Sequence, residues 1–347
     1  MNPTSPRRSH HHLTTRREWL AGSMLAGATA GIASSHAIQA CSAQEPNKKV
    51  ARIAITLDLE MSRNFPTWET THWDYEKGNL DEPTKRYASE AAKRVRERGG
   101  VIHFFVVGRV FEQSNTDWLG AIAEGGHPIG NHTYDHINVL AMRRDDLQFR
   151  FQRSPWLLSD RPVLDLIREN IELTTKAMKS RLGIGPQGFR TPGGFHEGLR
   201  NHPEVRSLLK DLGYRWVSSL YPAHPNTDPH QEPSDEVLKG IAEAQQASQP
   251  FAYPDGLVEV PMSPISDIGA FRTGRWRLDW FLHSVERSVQ WAIDRGATFD
   301  FLAHPSCLGV VDPEFKTLDL ICRMVAESSG RAELSDLNAI GQLLLRS

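Results

Sequence analysis

The feature that most constrains this chain is the regular alternation of short apolar segments with longer amphipathic ones from about residue 50 onward. The apolar segments, such as 51–57 and 101–108, are rich in β-branched and aromatic residues and predict buried strands. The amphipathic segments, such as 83–98 and 162–182, begin and end with residues that start and stop helices. Because this alternation is typical of a parallel sheet with helices outside it, the sequence predicts an α/β fold, most economically a (β/α) barrel.

The predicted elements are distributed along the whole chain after residue 50. The strands are 51–57, 101–108, 127–131, 187–190, 214–220, 257–262 and 298–303. The helices are 83–98, 118–124, 162–182, 203–212 and 280–295. The polar segment 224–249 is predicted to be a surface insertion, either a tolerated loop or a rim that selects the substrate.

Composition excludes several classes of protein. The chain has 347 residues, of which 40 are basic and 42 acidic, a balance that predicts no nucleic-acid partner. Its three cysteines are too few for a disulfide framework, and none of them belongs to a CxxC pair. The 15 histidines instead direct attention to metal binding.

The N-terminal segment has the organisation of an export signal. Arg16 and Arg17 precede a Gly/Ala-rich run without charge from residue 19 to residue 44, which is typical of the twin-arginine route. We expect residues 1–43 to be this signal and residues 44–347 to form a single domain. The mature protein would then be periplasmic or secreted.

The point of cleavage stays open. Cys41 ends a weak lipoprotein box and would carry a lipid if that box is used, whereas ordinary cleavage near Ala40 or Ala43 is equally compatible with the sequence. Contact with a membrane is expected only through this lipid.

Two acids emerge from the first predicted strand. Asp58 and Glu60 are two residues apart, so both side chains point to one face if the strand continues that far. Carboxylates at the end of an apolar strand are costly to bury unless they are paired. We therefore treat both as candidate functional groups.

Further polar residues close other predicted strands. His132 and His136 are four residues apart, a spacing that one helical turn brings onto one side, so that both can hold one ion. Arg190 lies in a turn stiffened by Pro and Gly, and His304 follows the last predicted strand. Because strand ends converge on one mouth of a barrel, we expect these side chains to meet there. Two histidines and a carboxylate leave one coordination position open, as in catalytic zinc sites.

Together these motifs resemble the polysaccharide deacetylases with a NodB homology domain, carbohydrate esterase family four. The resemblance spans roughly residues 53–305, and it rests on the segments 104–108 (FFVVG), 132–136 (HTYDH), 190–194 (RTPGG) and 302–304 (LAH). It implies a distorted (β/α) barrel of the NodB type. It also implies a polysaccharide partner from which N-acetyl, and sometimes O-acetyl, groups are removed.

The resemblance implies a role for each polar residue at the strand ends. His132 and His136 would be metal ligands, Arg190 would orient the catalytic base, and His304 would be the general acid. The expected cofactor is one divalent ion, predicted to be Zn²⁺.

The first motif departs from the family pattern of two adjacent aspartates, because Leu59 follows Asp58. We therefore expect Asp58 to be the base and Glu60 to be the third metal ligand. The exchange of these two roles stays open.

Three more residues are expected on the substrate side of the site. The backbone N–H near Gly193 would stabilise an oxyanion, and Leu302 would line a small pocket for a methyl group. A protonated His304 needs an acidic neighbour, because burial alone would lower its pKa. The family commonly supplies that acid after the strand at 214–220, which here contains only serines at that point, so Asp267 is the substitute.

The leading hypothesis is an exported, metal-dependent hydrolase of an amide bond in peptidoglycan, a chitin-like polymer or an exopolysaccharide. The first alternative is an allantoinase-like hydrolase of a cyclic amide, against which the expected export argues. The second is a non-catalytic glycan-binding barrel, suggested by Leu59 and by the serines at 218–219. The aromatic segment 61–79 would overhang the mouth, either stacking on sugar rings or packing as a lid.

Overall fold

The computed structural model describes residues 49–61 and 77–346. The predicted export signal with Cys41, and with it the boundary at residue 43, lies outside the described residues. Most of the aromatic segment 61–79 also lies outside them.

A parallel sheet forms the centre of the described fold. Its strands are β1 (Ala51–Leu59), β2 (Ile102–Val106), β3 (Ile129–Asn131), β4 (Gly188–Phe195), β5 (Trp216–Leu220), β6 (Phe251–Ala252), β7 (Val258–Glu259), β8 (Thr298–Ala303) and β9 (Ala332–Leu334). They run in the order β6-β7-β5-β4-β3-β2-β1-β8, with β9 beside the start of β1. The pair β6–β7 is antiparallel, and the other pairs are parallel.

The chain that follows β7 brings the two ends of the sheet together. The N–H of Met262 donates to the carbonyl of Leu220 in β5 at 2.9 Å, and the N–H of Ser263 donates to the carbonyl of Asp300 in β8 at 3.1 Å. The Asp300 N–H donates in return to Ser263 Oγ at 2.7 Å. The sheet is therefore a distorted barrel, which confirms the fold class predicted from the sequence.

Helices cover the outside of the sheet. They are α1 (Glu82–Glu97), α2 (Asp117–Glu124), α3 (Phe149–Arg153), α4 (Val163–Leu182), α5 (Pro203–Asp211), α6 (Asp235–Ala244), α7 (Leu278–Arg295), α8 (Pro305–Val311), α9 (Lys316–Glu327) and α10 (Leu337–Leu345). The start of α1 shows why these segments are helical: Asp81 accepts a hydrogen bond from the Thr84 N–H at 3.0 Å, and Pro83 stands in the first turn. In the described part of the chain, no helix is long and apolar enough to cross a membrane.

The barrel interior is filled at its base and polar at its mouth. Inward-facing residues of the strands, among them Ala54, Phe105 and Trp216, form one apolar cluster with Leu337 and Ile340 of α10. This apolar plug leaves the carboxyl ends of the strands as the open end of the barrel. Functional side chains at the strand ends therefore have a rigid floor beneath them.

Most predicted elements differ from the structure only in their bounds, but two differ in kind or by most of their length. The strand expected over 257–262 is only two residues long, because the chain bends after β7 to reach β8. The segment 224–249 is more than a surface loop, because it contains α6, whose Leu238 and Ile241 are buried where the helix packs against α7. Their i, i+3 spacing gives α6 an apolar face despite the polar composition of the segment.

Candidate active site

The end of β1 presents both acids to the barrel mouth. Asp58 lies within β1 and Glu60 follows its last residue, Leu59. Leu59 points the other way and is buried in the apolar layer between the sheet and the helices. Alternation along the strand therefore places both carboxylates on the inner face, as the sequence predicts.

The two histidines reach the site by a different backbone path from the one expected. They lie on a loop after β3 and not on a helical turn, and Thr133 and His136 have left-handed φ angles of 59° and 57°. Asn131 Oδ1 accepts from the Thr133 N–H at 2.8 Å, and Asn170 Oδ1 accepts from the Tyr134 N–H at 2.7 Å. In a helix these N–H groups would donate to backbone carbonyls. In this loop the side-chain oxygens of Asn131 and Asn170 accept their hydrogen bonds instead.

Glu60, His132 and His136 form a donor group that could hold a metal ion. One donor atom from each residue lies within 4.8 Å of the other two. Glu60 Oε2 is 2.5 Å from His136 Nε2 and 3.5 Å from His132 Nε2. The other ring nitrogen of His132, Nδ1, lies 3.0 Å from the carbonyl oxygen of Arg190, which fixes the ring so that Nε2 faces the carboxylate. Two imidazoles and a carboxylate in a buried cluster suit a divalent transition-metal ion.

The protonation of this group also suits a ligand role. Burial would raise the pKa of Glu60, but His136 and Lys77 hold it well below its ordinary value. Burial lowers the pKa of His136 to about 4, and the Lys77 ammonium acts in the same direction against the opposite effect of Glu60. At neutral pH the carboxylate is ionised and the imidazole of His136 is neutral, which are the forms that bind metal ions.

Lys77 is a member of the site that the sequence did not reveal. Its Nζ lies 2.5 Å from Glu60 Oε1 and 3.5 Å from His136 Nε2, and the residue is only 4% exposed. No periodicity or motif marks this lysine.

Arg190 crosses the barrel interior to the predicted base. Its Nη1 donates to Asp58 Oδ1 at 3.2 Å and to Thr56 Oγ1 at 2.7 Å, and its Nη2 donates to Asp300 Oδ2 at 2.5 Å. The guanidinium is fully buried and lies 4.3 Å from the centre of the Phe105 ring. Arg190 thus contacts the carboxylate that the sequence assigns to the base.

Asp300 is the second residue that the sequence analysis missed. Burial raises the pKa of its carboxyl group to about 6 in spite of the neighbouring Arg190. Its signal in the sequence is an acid inside an apolar strand, four residues before His304 and therefore on the same face.

His304 is paired with Asp267, as the sequence analysis expects. Nδ1 of His304 lies 2.9 Å from Asp267 Oδ1, and the His304 N–H donates to Asp267 Oδ2 at 2.7 Å. Burial lowers the pKa of the imidazole, but Asp267, with smaller contributions from Glu60 and Asp58, more than offsets it and the pKa rises to about 9. The ring is therefore protonated at neutral pH, and its Nε2 lies 3.5 Å from Glu60 Oε1.

Asp267, which the sequence analysis groups with the substrate-side residues, is fully buried and contacts His304. Gly193 is exposed beside the mouth, with a φ of 76° that favours glycine. Leu302 lies on β8, two residues after Asp300 and two before His304. Its side chain therefore lies on the same, inner face of the sheet. Their contacts with a substrate stay predictions.

Comparison with known proteins shows which family this chain resembles. Residues 75–217 match the family model described as polysaccharide deacetylase. Over these residues the chain is similar to polysaccharide deacetylases. The match includes His132, His136 and Arg190, and it confirms the predicted resemblance and the class of hydrolase that the resemblance implies. A comparison with curated proteins finds no significant match.

Solved structures agree with this polysaccharide deacetylase fold. A "probable polysaccharide deacetylase" from Pseudomonas aeruginosa PAO1 is 14% identical, with a TM-score of 0.59, over 85% of this chain and 91% of that one. Puue allantoinase is 13% identical, with a TM-score of 0.55, over 90% of this chain and 97% of that one. At these identities the likeness shows the fold alone.

Proposed function

We propose that this protein is an exported, metal-dependent deacetylase that removes N-acetyl groups from an amino-sugar polymer. The observation that carries the proposal is the position of the candidate metal ligands, which lie between Asp58 as a base and His304 as an acid. Asp58 Oδ2 lies 3.7 Å from His132 Nε2 on one side, and His304 Nε2 lies 3.5 Å from Glu60 Oε1 on the other. A carboxylate, a metal-ligand cluster and a protonated imidazole therefore share one pocket, as amide hydrolysis requires.

Glu60, His132 and His136 would hold the ion, and their mixed nitrogen and oxygen donors favour Zn²⁺. When bound, such an ion supplies Lewis acidity toward the amide carbonyl and makes water a better nucleophile near neutral pH.

Asp58 is the base in this proposal. Arg190 holds Oδ1 at 3.2 Å, while Oδ2 is directed toward the metal ligands. A carboxylate fixed in this way can accept a proton from water that attacks the amide carbon. Glu60 is the better ligand of the two acids, because it is the carboxylate that contacts His136 directly.

His304 is the acid. An amine is a poor leaving group unless it is protonated, and the imidazole keeps its proton at neutral pH because Asp267 supports it. The imidazole can therefore protonate the amine as the C–N bond breaks.

The substrate side of the proposal rests on the family. Polysaccharide deacetylases act on acetylated polymers, and the exposed Gly193 and the inward-facing Leu302 are suited to an oxyanion and a methyl group. The first metal ion to test is Zn²⁺. The first substrates to test are peptidoglycan, a chitin-like polymer and an exopolysaccharide.

Export is proposed from the Arg16-Arg17 motif alone. Replacing both arginines with lysine should keep the protein in the cytoplasm, and fractionation of cells that express either form measures this. A Cys41→Ala variant that leaves the membrane fraction unchanged would argue against the lipid anchor.

The enzymatic proposal is tested by metal content and acetate release. Purified protein should contain about one divalent ion per chain and release acetate from N-acetylglucosamine oligomers. Asp58→Asn should keep the metal and lose most of the acetate release. A protein that binds no divalent ion and releases no acetate would overturn the proposal.

A further inference from the structure

A lysine lies inside the proposed metal site. The Nζ of Lys77 is 2.5 Å from Glu60 Oε1 and 3.5 Å from His136 Nε2. Lysine is almost never buried unless it is paired, and here one partner is a proposed metal ligand. The proposed site therefore already contains one cation that belongs to the protein.

The backbone fixes this arrangement. The N–H of Gly78, the next residue, donates to the carbonyl oxygen of Glu60 at 2.7 Å. Gly78 has a φ of 85°, and a Cβ there would lie 2.3 Å from the Cβ of Arg109. The turn thus requires glycine, and it holds Lys77 next to Glu60 at both the backbone and the side chain.

The two oxygens of Glu60 divide their contacts. Oε2 faces His136 and His132, whereas Oε1 contacts Lys77 and faces His304. An ion bound at His136 would lie about 2.0–2.1 Å from Nε2. Since the ammonium is 3.5 Å from the same nitrogen, ion and ammonium would be less than about 6 Å apart. Two cations at this separation in a buried pocket repel each other strongly.

We propose that Lys77 competes with the divalent ion for Glu60 and thereby sets the metal affinity of the site. In the metal-free protein the ammonium balances the Glu60 carboxylate. When the ion binds, the lysine either moves away from Glu60 or stays and weakens binding. Both routes make the affinity lower than it would be without the lysine.

This inference rests on the proposed ligand set, but it makes a prediction of its own. Lys77→Met removes the charge and keeps much of the apolar stem. The variant should bind Zn²⁺ or Co²⁺ at least about 10-fold more tightly than the wild type. Lys77→Gln, a polar neutral variant, should shift the affinity in the same direction. Lys77→Arg keeps the charge and should stay within about 3-fold of the wild type.

The affinity is measured on chelator-stripped protein by competition with a chromophoric chelator. The matched control is Lys176→Met, which removes an exposed lysine that pairs with Glu172 at 3.4 Å on α4. This control should leave the affinity unchanged. Thermal unfolding gives a second measurement, since added Zn²⁺ should raise the midpoint more in Lys77→Met than in the wild type.

The outcomes separate this inference from the proposed function. If the wild type binds metal and releases acetate but both neutral variants bind no more tightly, the inference about Lys77 is wrong and the proposed function stands. If the neutral variants bind more tightly but no protein releases acetate, the inference stands and the proposed function is wrong. If neither the wild type nor the variants bind metal, both are overturned.

Discussion

Replacing Asp267 with asparagine tests how His304 keeps its proton. The Asp267 carboxylate lies 2.9 Å from the Nδ1 of His304 and also accepts the backbone N–H of His304. Asparagine has the same shape and can still accept from a backbone N–H, but it carries no negative charge. The perturbation is therefore mainly electrostatic.

The structure gives the magnitude of the expected change. The pKa of His304 is raised from 6.5 to about 9 although the ring is buried. Since one pH unit corresponds to about 1.36 kcal/mol, the acidic surroundings stabilise the imidazolium by roughly 3 kcal/mol net of burial. His103 shows the effect of burial without such a neighbour, because its pKa is lowered to about 3 by burial, with a further contribution from Arg190. Glu60 and Asp58 also raise the pKa of His304, but they contribute less than Asp267, so we expect burial to dominate in Asp267→Asn and to bring the pKa below its ordinary value.

The pH dependence of acetate release measures this change. With a pKa of about 9, roughly nine-tenths of His304 is protonated at pH 8, whereas with a pKa below 6.5 the fraction is about 3% or less. If His304 is the general acid, kcat at pH 8 should fall about 30-fold or more and recover as the pH is lowered toward 5.5. Asp279→Asn, which alters an exposed ion pair with Arg277, is the control and should keep the wild-type profile.

Stability should change with pH in a linked way. A histidine whose pKa is raised on folding contributes stability below its unfolded pKa, and that contribution is lost as the pH rises through the folded value. The wild type should thus lose its advantage in unfolding free energy over Asp267→Asn between about pH 6.5 and pH 9. The reasoning would be refuted if acetate release by both proteins fell at the same pH on the basic side, and if the difference between their unfolding free energies did not change with pH.

The other predictions concern the metal ligands, the arginine and the packing of the barrel. His132→Ala should lose bound metal and acetate release together, as measured by metal analysis; a variant that keeps its metal would show that the ligand assignment is wrong. Arg190→Lys should lower kcat about 10-fold or more with a smaller change in KM, because one ammonium cannot reach both carboxylate partners in the planar fork geometry. Gly188→Ala should lower the unfolding free energy by about 1–3 kcal/mol or more in denaturant titrations, because its Cβ would lie 1.8 Å from the Trp216 ring. Gly120→Ala is the control, since nothing lies within 4 Å of a Cβ there.

The sequence predicts the fold well because buried parallel strands consist of continuous apolar residues, which are visible in the sequence. The segment 298–303 was predicted to the residue, and β1 extends only two residues beyond its predicted end. Prediction fails at β7, where the apolar run continues but its backbone leaves the ladder to reach β8. Composition cannot distinguish a strand from an extended segment that makes isolated hydrogen bonds.

The candidate site was predictable where strand ends place the residues. Asp58 and Glu60 follow from the period of two along β1, and His304 follows from the end of β8. The histidine loop was not predictable in its conformation, because left-handed φ angles at Thr133 and His136 are rare for such residues and no glycine marks them.

The two missed residues differ in kind. Asp300 had a visible signal, since an acid in an apolar strand must find a partner when it is buried. Lys77 had none, because its contact with Glu60, 17 residues away in sequence, depends on the turn at Gly78 and on the hydrogen bond from the Gly78 N–H to the Glu60 carbonyl.

The proposed base, Asp58, is positioned by side chains of the barrel strands, and Arg190 is the central one. The arginine stands on β4, and its guanidinium passes the Phe105 ring of β2 to reach Asp58 on β1 and Asp300 on β8. Its remaining donors bond Thr56 and Ser218, so that a fully buried cation is satisfied by side chains of strands. Removing one partner would leave a charge buried without compensation, which commonly costs about 3–5 kcal/mol. The interactions that position Asp58 are therefore also interactions that stabilise the fold, and substitutions in this network should change activity and stability together.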